Sequence, residues 1–100
     1  MKTTAAKVEA PAAGQVQLSG ELTFASVLQV RTPLLNQLEA AGDACTLDLS
    51  GVTRVDSSAL SLWLVCQRHA SQRKQQLKLS GIPADFRAIA VLVGLGDQLD

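Results

Sequence analysis

Leu47-Asp48-Leu49-Ser50-Gly51-Val52-Thr53-Arg54-Val55-Asp56-Ser57-Ser58-Ala59-Leu60 passes from one backbone period to another within a short span. With Cys45 and Thr46 ahead of it, the first part alternates apolar and polar, the period of a half-buried strand. Ser50-Gly51 reads as a turn, and Val52–Val55 as a short extended stretch. Asp56 then precedes a helix expected from Ser58 to about Arg73. At about 100° per residue, Ala59, Leu60, Trp63, Cys66 and Ala70 share one side, which should face a sheet. Ser58, Ser61, Arg68, His69 and Gln72 lie opposite, and Leu62 and Val65 fall toward that polar side. The period thus changes from strand to helix at Asp56, which follows the extended stretch and precedes the helix.

The flanking sequence extends the pattern. Residues 1–6 read as a loose N-terminus, Lys7–Ala10 as a short edge strand, and Pro11-Ala12-Ala13-Gly14 as a turn. Gln15–Ser19 alternates again, so a β-hairpin opens the fold. Thr23 is placed to cap a helical turn at Phe24–Val27. A helix follows over Ser26–Ala40, with Val27, Leu28, Val30, Leu34, Leu35 and Leu38 as its apolar face. Pro33 interrupts that pattern by removing a hydrogen bond and crowding the preceding turn, so a kink or break is expected near Arg31–Thr32. Gly42 suits the stop after this helix. Leu77–Ser80 reads as a strand, Pro83 as a first-turn proline, Asp85–Val93 as the last helix, and residues 96–100 as a tail.

Strand, strand, helix, strand, helix, strand, helix is the resulting order. Strands that alternate with helices pair in parallel through right-handed crossovers. The expected fold is α/β: one domain over residues 1–100, a small mixed sheet with helices packed mainly on one face. A chain of 100 residues supports one modest core and no second domain. Internal repeats and low-complexity segments are absent.

Composition narrows function. Nine basic and nine acidic side chains cancel. A general basic footprint for nucleic acid is missing, and so is a charge bias toward anionic membrane. No apolar run approaches the roughly 20 residues that span a bilayer, and Met1–Ala10 lacks the apolar core of a signal peptide. Cys45 and Cys66 sit among apolar residues and read as buried free thiols, which suits a reducing compartment. With His69 the lone histidine, a four-ligand zinc site has no conventional soft ligand set. No metal, cofactor or small-molecule substrate is implied.

The chemistry concentrates at Asp56. Its carboxylate is placed to accept the backbone N–H of Ser58 or Ala59 and complements the positive end of the helix dipole. That alone explains the residue as a cap. Two hydroxyls at an exposed helix start also suit phosphorylation, because phosphate there gains from the dipole and free N–H groups. Leu62 and Val65, read as exposed beside Ser57, Ser58 and Ser61, suggest a docking patch. Catalysis fares poorly. A serine nucleophile needs an oriented base, and His69 lies about 18 Å along the helix axis from Ser57. No glycine-rich loop precedes a lysine, and Asp43, Asp48 and Asp56 form no recognisable carboxylate pair.

The segment Leu47–Leu60 resembles the signature of STAS domains, which include anti-sigma factor antagonists and the cytoplasmic tails of sulfate-type anion transporters. Leu18-Ser19-Gly20-Glu21-Leu22-Thr23-Phe24-Ala25 and Leu79-Ser80-Gly81-Ile82-Pro83-Ala84 extend the resemblance from about Gln15 to Leu95. The Gly20–Phe24 opening, Ala59-Leu60, Pro83–Ala90 and Val93-Gly94-Leu95 are similar to the MlaB branch, the STAS subunits of ABC transporters that maintain outer-membrane lipid asymmetry. That resemblance implies a non-catalytic cytoplasmic subunit. It would sit at the inner face of the inner membrane by binding the transporter's ATPase, in a complex with the membrane permease. Partner contact is expected at Asp56, Ser57, Ser58, Ser61, Leu62 and Val65. The alternative is an anti-sigma factor antagonist that binds an anti-sigma kinase. Ser57 holds the place of that branch's phosphorylated hydroxyl, but Ala59 replaces the glycine usual two positions on. A further terminal element of longer STAS domains is expected to be missing.

Overall fold

A computed structural model describes residues 6–99, so most of the loose N-terminal segment lies outside the described residues. The elements are β1 (Lys7–Ala12), β2 (Gln15–Leu22), α1 (Phe24–Ala40), β3 (Ala44–Val55), α2 (Ser57–Gln72), β4 (Gln76–Ser80) and α3 (Ala84–Leu92). A turn of 3-10 helix, Gly96–Leu99, comes after α3. The strands form one mixed sheet in the order β1-β2-β3-β4. β1 pairs with β2 antiparallel, and β2, β3 and β4 run parallel.

The period-2 pattern sorts the sheet into two faces. Val16, Leu18 and Leu22 of β2, with Cys45, Leu47, Leu49 and Val52 of β3, pack into one core with Leu34, Leu38, Trp63, Cys66 and Phe86 from the helices. Gln17, Thr46 and Asp48 occupy the alternate positions and are half-buried. The sequence expectation of a mixed sheet with helices on one face is therefore met.

Four local expectations are corrected. Ser50-Gly51 does not turn: β3 continues to Val55. Against β2 it carries one extra residue between Asp48 and Gly51 and another between Val52 and Arg54. Each extra residue reverses the facing of the strand beyond it, so Leu49 and Val52, three apart, both reach the core. Gly51 permits this because a Cβ there would stand 2.9 Å from Ser19 Cβ. Pro33 does not break α1, which runs unbroken from Phe24 to Ala40. Pro33 and Gln29, whose carbonyl loses its i+4 donor, are both exposed, so water can satisfy that carbonyl.

Leu28 leaves the apolar face assigned to it and is 73% exposed, because α1 buries the Ser26, Val30, Leu34, Leu38 stripe instead. Finally, residues 96–99 are not a free tail. Trp63 Nε1–H donates to the Gln98 carbonyl at 2.8 Å and Leu99 is buried. As expected, Gly42 lies just past the α1 C-cap, at φ +90°. Gln75 Nε2 donates to the Leu38 and Gly42 carbonyls, both at 2.7 Å, satisfying acceptors at that helix end.

Candidate functional site

Crossover connections place the N-termini of α1 and α2 at the same end of the sheet, beyond the C-terminal ends of β2 and β3. Asp56 joins them. Its Oδ1 accepts Ser58 N–H at 2.8 Å, the N-cap bond expected from the sequence. Its Oδ2 accepts Phe24 N–H at 2.9 Å, from the first residue of α1. The Asp56 N–H donates to the Leu22 carbonyl at 3.2 Å, closing the link to the end of β2. One carboxylate therefore satisfies donors of two helix starts and sits at two positive dipole ends.

Partial desolvation pushes the Asp56 carboxyl up. The Phe24 and Ser58 N–H groups, the Ser58 hydroxyl and the charge of Arg54 outweigh it and hold the group below 3.8. Ser26 completes the α1 start. Its Oγ accepts Thr23 N–H at 3.0 Å and donates to the Glu21 carbonyl at 2.6 Å.

Around this joint, Ser57 and Ser61 are exposed, and Ser58 and Val65 are half-buried. Leu62 departs from its expected position. It is 3% exposed and belongs to the core. The cause is that α2 packs against both α1 and α3 as well as the sheet. Its apolar arc is therefore wider than a single sheet contact requires, and Leu62 cannot be a surface contact. Beside the joint the exposed large apolar side chains are those of α1, with Phe24 77% exposed and Leu28, one turn on, 73%; Val91, Leu92 and Val93 at the end of α3 are exposed as well. Sequence reasoning placed Leu28 in the core and gave Phe24 no role. The available signal was Phe24's position directly after a helix cap, where a large apolar side chain has no turn beneath it.

The end of the domain thus presents Phe24, Leu28, Ser57 and Ser61 over a rigid joint. It carries apolar anchors and hydroxyl donors, the ingredients of a protein contact. His69 is elsewhere, with Nε2 3.1 Å from Glu39 Oε2. The distance suits an ion pair when His69 is protonated, but the two atoms are not aligned as a hydrogen bond. Cys45 and Cys66 are buried free thiols, as expected. Among the described residues, no cluster of His, Cys, Asp and Glu is arranged to hold a metal, and no helix is long and apolar enough to cross a membrane.

A protein-family model described as "Mlab, STAS domain" matches residues 5–100. Among solved structures, the chain is similar to the anti-sigma factor antagonist SpoIIAA in its unphosphorylated form. The TM-score is 0.70 at 22% identity, covering 93% of this chain and 84% of that one. The Bacillus cell fate determinant SpoIIAA in the phosphorylated form gives a TM-score of 0.66, also at 22% identity, with coverage of 93% and 86%. No curated protein sequence gives a match. At this identity, the structural likeness speaks for the fold.

Proposed function

This chain belongs to the STAS-domain family, and on that footing we propose that it is a non-catalytic accessory subunit of a phospholipid-trafficking ABC transporter. It docks on the transporter's ATPase at the cytoplasmic face of the membrane and supports the assembly and activity of the ATPase–permease complex in outer-membrane lipid asymmetry. STAS domains act typically through protein–protein interaction, and the MlaB-type description of the matching family supports the choice of transporter. The observation that carries the docking reading is the exposure of Phe24 and Leu28 beside the Asp56 joint.

The contact set is Phe24, Leu28, Ser57, Ser58, Ser61 and Val65. Asp56 acts as the positioning residue that holds both helix starts. Binding only the folded, assembled ATPase stabilises that form by mass action, with no chemistry performed by the domain itself.

The exposure of Ser57 at the first position of α2 favours a second reading, an anti-sigma factor antagonist switched by phosphorylation of Ser57 and partnered by an anti-sigma kinase. One experiment separates the two. The tagged chain is recovered from detergent-solubilised cells of its source, and co-purifying proteins are identified by mass spectrometry. An ABC ATPase recovered with its permease is the expected result. A serine kinase or sigma-regulating protein in its place overturns the transporter reading.

A further inference from the structure

The two edges of the sheet are finished differently. β1 carries Pro11, which has no N–H to offer, and its register with β2 shifts between Glu9 and Ala12. A proline and a bulge are devices that close an edge to further strands. β4, the opposite edge, has neither.

The free hydrogen-bonding groups of β4 are identified by one bond. Gln76 N–H donates to the Asp43 carbonyl at 2.8 Å, so Gln76 faces β3. Gln76, Lys78 and Ser80 pair with Ala44, Thr46 and Asp48 in parallel register. Backbone groups of alternate residues point to opposite sides of a strand, so Leu77 and Leu79 turn their N–H and C=O groups away from β3. They turn them into a groove of about 570 Å³ that runs along this edge and is also bordered by Lys78, Ile82, Arg87 and Leu99.

We infer that the β4 edge takes an extended, acidic peptide segment of a partner protein as an added strand. The main-chain groups of Leu77 and Leu79 supply its ladder. Charge decides the occupant. Lys78, at the middle of β4, borders the groove, and no acidic side chain does so among the described residues. A second copy is disfavoured, because antiparallel self-pairing centred on β4 sets Lys78 opposite Lys78, and like charges directly opposite destabilise a sheet. An acidic residue opposite Lys78 reverses that sign. This inference does not depend on the identity of the partner at the Asp56 end.

The test uses the full chain, ¹⁵N-labelled, and a soluble acetylated octapeptide alternating valine with glutamate. Titration is expected to shift the Leu77 and Leu79 amide resonances and slow their hydrogen exchange. Gln76 and Lys78, already bonded to β3, should change little. Lys78→Glu should weaken the peptide by about tenfold or more and bind the valine–lysine counterpart instead. Three results overturn the inference. One is slow exchange at Leu77 and Leu79 before any peptide is added. Another is a set of shifts confined to residues away from β4. The third is equal binding of a peptide with the same charge and proline at the valine positions, which keeps the electrostatics and removes the donors.

Discussion

The Asp56 carboxylate accepts the Phe24 amide proton at 2.9 Å across 32 residues of sequence, while its other oxygen caps its own helix at Ser58. The start of α1 is therefore fixed relative to the start of α2 by a single side chain. The surface that the domain offers at this end has its shape set by that joint, since Phe24 and Ser57 are the residues on either side of it.

Removing the joint should be costly for a partly exposed residue. Asp56→Ala leaves donors of two helices without their acceptor. Each cap contributes about 1 kcal/mol, so a loss of roughly 2 kcal/mol is expected in urea unfolding. Asp56→Asn keeps an acceptor oxygen without the charge and should lose less. A loss in Asp56→Ala no larger than a single cap would show that the Phe24 bond adds nothing.

The same carboxyl predicts an acid dependence. Its pKa lies below 3.8 when folded and near 3.8 when unfolded, so the unfolded chain takes up the proton first as pH falls. The group's contribution is complete above 3.8 and disappears as pH falls through the lowered folded value. The difference in urea midpoint between the native chain and Asp56→Asn should be flat above this range and shrink below it. A difference that grows on acidification would reverse the sign.

Leu62 and Phe24 should part company. Leu62→Ala removes a core side chain and should cost about 2–5 kcal/mol, visible as a lowered melting temperature. Phe24→Ser, at an exposed position, should change stability by only about 0.5 kcal/mol or less. Equal stability losses in the two variants would contradict the burial of one and the exposure of the other.

Cys66 should be inert in the folded chain. Burial pushes its thiol up to about 12, against a smaller opposing pull from Arg31, and the thiolate is the reactive form. In a Cys45→Ala background, Ellman's reagent at pH 8 should titrate Cys66 only as fast as the protein opens. Prompt reaction in the native state would place the thiol in contact with solvent.

Much of this fold is legible in the sequence because its signals are local. The alternation at Gln15–Ser19 and Cys45–Leu49, the cap at Asp56 and the stop at Gly42 all survive in the structure. The features that sequence does not reveal depend on tertiary neighbours. Ser50-Gly51 has turn chemistry, but the close approach of β2 makes it a bulge. Leu62 looks exposed until α1 and α3 flank α2. The Phe24–Asp56 and Trp63–Gln98 bonds join segments whose proximity no local pattern announces. At the Asp56 end, the cap itself is readable in the sequence, whereas exposed apolar side chains are expected at Leu62 and Val65 of α2 and are found at Phe24 and Leu28 of α1, with Leu62 buried and Val65 half-buried.

Docking through the Asp56 end stands or falls on the affinity of this chain for the ATPase subunit, measured with a Phe24→Ser, Leu28→Ser double variant and with Ser57→Glu. Both variants should keep the native melting temperature. Each should weaken binding by about tenfold or more, in line with loss of anchor side chains at a protein interface. Native-like affinity in both, with folding intact, would contradict docking through this end of the domain.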